Sequence, residues 1–202
     1  MEEIISKEEL SRLLETRGEI RGFAIKPMLD FIIKEEGENG FESLSGTMSK
    51  LGSPIDYKNV KTIDFYPFNW HIVFFVVIQK LFNYDNKKFQ EIGVFSAKAP
   101  FTVRRFMMQA LPRLPFERII KETEKIWRKF STVGDLKIIK VDAEQKELIM
   151  RFEDFALHPL MCQLVIGYFS SVAGILIGKK SICEQIKAVY KGDDYDEFLI
   201  KW

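Results

Sequence analysis

The hydrophobic and polar positions of the chain keep two different rhythms, helical up to about Gly134 and alternating over most of the remainder. In residues 1–17, Ile4, Ile5, Leu10, Leu13 and Leu14 recur at helical spacing among charges, and Gly18 can end the helix. This predicts a short amphipathic helix for packing or dimerisation. Two further helical patterns, 27–36 and 41–51, are parted by Gly37-Glu38-Asn39-Gly40, and Gly52-Ser53-Pro54 then breaks the chain. Pro67 suits a first helical position and opens 68–78, which is apolar on every side and so belongs at the centre. Residues 86–99, 101–111 and 115–130 predict three more helices.

Beyond Gly134 the alternation of 136–141 and 148–152 around Asp142-Ala143-Glu144-Gln145-Lys146 predicts an antiparallel hairpin. A second hairpin turns at Lys191-Gly192-Asp193-Asp194, with Ile182, Ile186, Ala188 and Tyr190 on one face of its first strand and Phe198, Ile200 and Trp202 on one face of its second. Between them Pro159 to Gly178 carries no formal charge and is long enough to cross a bilayer. Amphipathic strands on both sides, and a small-residue stripe of Gly167, Ser171, Gly174 and Gly178, argue instead for a helix pressed closely against a sheet or a second copy of itself, with no membrane span. The expected fold class is α+β: a helical N-terminal two-thirds packed on a four-stranded antiparallel sheet made of two hairpins (136–153 and 181–202) separated by a long helix (159–178). Residues 1–22 form the N-terminal amphipathic helix and 23–202 a single ligand-binding-type domain.

Composition changes this picture in one respect. A formal net charge of +1 offers no global attraction to nucleic acid or anionic lipid, so neither is expected as a partner. But 18 Phe in 202 residues is aromatic surface that must be buried, as core or as the wall of a pocket. Cys162 and Cys183 are far apart, and only two histidines are present, which argues against a disulfide scaffold or a metal cluster and fits a reducing cytoplasm. The N-terminus lacks the apolar core of a secretory signal.

Hydrolase, metalloprotease and nucleotide-binding signatures are absent, so no enzyme activity and no cofactor are expected. Asp193, Asp194, Asp196 and Glu197 suit a cation, or simply a turn; Arg104, Arg105 and Arg113 suit a phosphate, or a solvated surface. The candidate pocket residues are Trp70, His71, Phe74, Phe75, Phe106, Met107, Phe152, Phe155, His158, Cys162 and Tyr168, where the two imidazoles supply polar handles and Cys162 is either a reactive thiol or a small buried residue. The plainer alternative for the same residues is a filled core.

The order of strand, then Cys162-Gln163-Leu164-Val165-Ile166-Gly167-Tyr168-Phe169 in a helix ending at Gly178-Lys179-Lys180, then strand, Lys191-Gly192-Asp193-Asp194-Tyr195-Asp196-Glu197-Phe198 and strand, resembles the 4-vinyl-reductase-type ligand-binding domain. Its superfamily includes haem nitric-oxide-binding sensors and the small subunits of the TRAPP vesicle-tethering complex. The resemblance implies a hydrophobic cavity between helices and sheet, a homodimer or signalling protein partner, and a role in sensing or scaffolding, with a haem-based gas sensor or a tetrapyrrole-related enzyme as weaker alternatives. Haem-binding relatives carry an axial histidine in the helix before the sheet and a tyrosine-x-serine-x-arginine motif. Residues 117–130 contain no histidine and 151–158 do not reproduce the motif, so a small apolar molecule is the expected ligand.

Overall fold

The computed structural model describes residues 4–99 and 116–202, and its elements arise from local chemistry. Helix α1 (Lys7–Leu13) starts at Ser6, whose hydroxyl accepts the Glu9 amide, and lies on the central helix with Leu13 buried and Glu9 2.6 Å from Lys80. Strand β1 (Glu19–Arg21) pairs antiparallel with β2 (Phe65–Pro67), a two-stranded ribbon that the periodicity did not announce because three residues are too few to show one. Helix α2 (Gly22–Lys50) consists of two helical limbs that meet at Gly37, whose φ of 70° and ψ of −178° lie outside the helical region and suit glycine, so the break expected at 37–40 is present at its first residue.

Helix α3 (Phe68–Phe82) buries every residue from Trp70 to Ile78, as a helix apolar on all sides requires, and its N-cap is Pro67 rather than a residue before it. Helix α4 (Asn86–Lys98) starts at Asp85, whose carboxylate accepts the Lys88 amide at 2.8 Å. Helix α5 (Phe116–Phe130) leads into the sheet, with Trp127 Nε1 donating to the carbonyls of Val133 and Gly134 and Arg128 paired with Asp135. The helix expected at 101–111 lies outside the described residues.

Strands β3 (Asp135–Asp142), β4 (Glu147–Glu153), β5 (Ile182–Lys187) and β6 (Asp196–Lys201) form one antiparallel sheet in the order β3-β4-β6-β5, the α+β arrangement read from the sequence. Helix α6 (Pro159–Ile177) connects the hairpins; His158 caps its start, Pro159 is its first residue and Gly178, at φ 70°, closes it. Because β4 pairs directly with β6 across that connection, the helix runs out and back along one sheet. It is long and apolar enough to cross a membrane, yet both its ends are tied to that sheet. Two details differ from the expectations of the pattern. The small-residue stripe meets neither the sheet face nor a second copy at Gly167: a methyl there would overlap the Gln90 carbonyl of α4, and one on Gly93 would overlap the Leu164 carbonyl of α6. The last hairpin does not keep one apolar face: Ile182 sits opposite Lys201 while Cys183 sits opposite buried Ile200, the register slips between Gln185 and Lys187, and Ile182, Ile186 and Tyr190 are exposed while Ala188 is buried.

The sheet's inner face carries Leu136, Leu148, Met150, Phe152, Phe198 and Ile200, all buried. Its outer face is a charged ladder in which Arg151 pairs with Glu197 at 2.8 Å and stacks over the Tyr195 ring. One continuous apolar core joins α1, α2, α3, α4 and α6 to the inner face.

Candidate functional site

Between the helices and the inner face the core opens into a cavity of about 180 Å³. Its floor is Leu136, Leu148, Met150 and Phe152 from the sheet. Its walls are Phe23, Ala24 and Met28 of α2, His71 and Phe75 of α3, Ser96 of α4, Ile120, Ile126, Trp127 and Phe130 of α5, and Met161, Leu164, Tyr168, Val172 and Leu176 along α6. An apolar void somewhat smaller than this stays dry and takes up a molecule the size of benzene, so the space suits a small hydrophobic compound. Leu164, Tyr168, Val172 and Leu176 of α6 are only partly buried, and all four line the void.

Polar groups on this wall are few. Ser131 is engaged with Val133, its hydroxyl both donating to that carbonyl and accepting that amide. Two others are not engaged: His71 Nδ1 and Ser96 Oγ are buried and have no hydrogen-bond partner. Burial lowers the His71 pKa to about 3, so its imidazole is neutral, and burial pushes the Tyr168 phenol up, so it is neutral as well. Among the described wall residues there is no Asp, Glu, Lys or Arg.

Of the pocket candidates read from the sequence, His71, Phe75, Phe152 and Tyr168 stand together on this wall. Trp70 and Phe74 are buried elsewhere on α3, Phe74 stacked on Tyr57 at 5.3 Å. Phe155 packs edge-on against Phe68, and His158 Nδ1 accepts the Leu160 amide as the cap of α6. Phe106 and Met107 lie outside the described residues, as do Arg104, Arg105 and Arg113.

Cys162 sits near the start of α6 in a polar cluster: Gln185 Nε2 donates to its sulfur at 3.4 Å and to Asp196 Oδ1 at 2.8 Å, and the Leu157 and Val189 amides also donate to Asp196. Burial, reinforced by the Asp196 charge, pushes the Cys162 thiol up to about 12, and burial does the same to Cys183, which leaves both as thiols of low reactivity. The acidic run of the last hairpin is spent on structure as well. Asp193 accepts the Ala188 amide, Asp196 is buried beneath donors from Leu157, Gln185, Val189 and the Cys162 thiol, and Glu197 pairs with Arg151. Sequence reasoning missed Ser96, Ala24, Met28 and Trp127; a serine late in an amphipathic helix carries no signal that it faces a void.

No family model matches the sequence, and no curated protein is significantly similar to it. Solved structures are similar in fold. An H-NOX protein from Shewanella oneidensis in its Fe(II)NO ligation state is 11% identical, with a TM-score of 0.65 over 90% of this chain and 98% of that one. An H-NOX variant from K. algicida in the unliganded Fe(II) state is 12% identical, with a TM-score of 0.60 over 90% and 96%. The chain has the H-NOX fold. Likeness at this identity extends to the fold alone, and no sequence-family match supports the 4-vinyl-reductase or tethering-complex side of the resemblance.

Those neighbours bring haem into question, and the wall answers in its own residues. Its single imidazole is on α3, whereas α5, the helix before the sheet, contains no histidine. No described wall residue carries a positive charge for the two propionates, and Arg151 points to the outer face, held by Glu197. The described wall does not fit haem.

Proposed function

We propose that the protein is a non-enzymatic sensor domain that holds a small apolar molecule in the cavity between α2, α3, α4, α5, α6 and the sheet, and passes its occupancy to a second copy or a partner protein. The observation that carries this reading is the cavity itself: a void lined by aromatic and aliphatic side chains, two of whose residues carry an unsatisfied polar atom, in a fold whose described residues otherwise pack around one continuous core. The fold shared with H-NOX proteins supports a ligand-sensing role and by itself favours a haem-based gas sensor; what favours a free apolar molecule instead is the described wall, with no histidine on α5 and no positive charge. That the domain performs no catalysis belongs to the same proposal. A cytoplasmic location is part of the same reading.

Native mass spectrometry of the full chain, freshly purified, tests it. The expected result is a retained non-covalent mass, or uptake of one equivalent of a hydrophobic compound such as toluene by the emptied protein. A Soret absorption band would replace this reading with a haem-based gas sensor. A stable protein that takes up no hydrophobic compound would leave the scaffold role of the tethering-complex relatives.

A further inference from the structure

The cavity reading leaves the chemical class of the occupant open, and the unpartnered atoms on the wall narrow it. A polar group placed in a protein interior without a hydrogen-bond partner is unfavourable, and interiors are for that reason nearly free of them. Here two such groups belong to His71 of α3 and Ser96 of α4, both of which are residues that line the same void, while Ser131 on the same wall is already paired. An imidazole that stays neutral can donate from one nitrogen and accept at the other, and a serine hydroxyl can do both. Neither supplies a net charge. No described wall residue is an acid, a lysine or an arginine, so an ionised ligand would be desolvated with nothing to balance it.

We infer that the ligand is a neutral, ring-sized hydrophobic molecule carrying one hydroxyl-type polar group, of the phenol or small-alcohol class, whose polar group is met by His71 and Ser96 while its body fills the void over Met150 and Phe152. This rests on the proposed function above, that the cavity is a ligand site, and adds the chemistry of the ligand. It also accounts for a wall that is apolar nearly everywhere yet keeps two unsatisfied groups: they are satisfied when the site is filled. Carboxylates and amines of the same size are disfavoured, because the described wall offers them no counter-charge.

Toluene and phenol differ by little more than a methyl for a hydroxyl, and benzoate adds a charge, so the three separate the possibilities. Calorimetric titration of the full chain at neutral pH is the measurement, repeated on Ser96→Ala and on His71→Leu after thermal unfolding has shown that each is folded. In a site with no partner for a hydroxyl, phenol binds about tenfold more weakly than toluene, because its hydroxyl loses water for nothing. The inference expects phenol to bind the unmodified protein at least as tightly as toluene, and the affinity for phenol relative to that for toluene to fall about tenfold in at least one variant. Benzoate is expected not to bind. Two variants on two helices keep the test alive if one does not fold. Toluene binding with phenol about tenfold weaker in the unmodified protein overturns the inference and leaves the cavity reading standing. Benzoate binding as tightly as phenol overturns the neutral-ligand claim. If neither toluene nor phenol binds, the cavity reading fails and the inference with it.

Discussion

His71 decides more than any other single residue. It lies on the cavity wall, only 4% exposed, with Nδ1 unpartnered and Phe68, Phe74 and Phe75 around its ring. Burial lowers its pKa from 6.5 to about 3, and that direction sets how stability depends on pH. Above pH 6.5 the imidazole is neutral in the folded and the unfolded chain and has no effect on the pH dependence. Below it the unfolded chain takes a proton that the folded protein refuses, so stability falls with pH, by up to about 1.4 kcal/mol per unit until the pH nears the folded value. His158, also lowered chiefly by burial, acts in the same direction, so the comparison must isolate one residue. His71→Leu removes one titration and one unpaired nitrogen. Its urea midpoint is expected to match or exceed that of the unmodified protein near neutral pH, and the gap is expected to widen steadily as the pH falls to about 5. A gap that stays constant with pH would show that the imidazole is not held neutral.

At the scale of elements, the crossing of α4 and α6 holds the helical layer together, and glycine makes it possible. Gly93 and Gly167 bring the two backbones so close that a methyl on either would strike a carbonyl of the other helix, and Gln90 and Gln163 join side chains beside them at 2.9 Å. Backbone cannot step aside as a flexible side chain can. Gly93→Ala is therefore expected to lower stability by about 3 kcal/mol, at the upper end for overpacked sites. Gly46, in the second limb of α2, has nothing within 4 Å of where its methyl would sit, so Gly46→Ala should raise stability by about 0.5–1 kcal/mol through helix propensity alone. Urea unfolding of the two variants side by side checks both signs. Equal effects would mean that the crossing is looser than described.

For the whole molecule, the void is where packing energy has been given up, and filling it from inside competes with filling it from outside. Ala24, near the start of α2, lines the cavity, so Ala24→Leu adds atoms where none are now. A bound compound stabilises the native state by mass action, about 2.7 kcal/mol at a hundredfold excess over its dissociation constant. Toluene at that excess is expected to raise the thermal midpoint of the unmodified protein and to leave that of Ala24→Leu where it was. An equal rise in both would place the compound outside the cavity.

Much of the architecture was legible in the residue pattern because it depends on neighbours in sequence. Alternation over 136–141 and 148–152 makes a hairpin whatever packs on it, and Pro159 with Gly178 bounds a helix by backbone geometry alone. The site was less legible, for a related reason. A helix apolar on every side, such as α3, gives no hint of which face meets a void, so Trp70 and Phe74 were as plausible on paper as His71 and Phe75, and only the three-dimensional packing set the second pair on the wall and the first against other core residues. The same holds for Ser96, an ordinary helical serine until the sheet and α6 close around it, and for Gly167, whose close approach was visible but whose partner, α4, was not. Local chemistry determines the elements, since the interactions that form them lie within a few residues. Whether the space between those elements is filled depends on contacts among residues far apart in the chain, and that was decided in the tertiary structure.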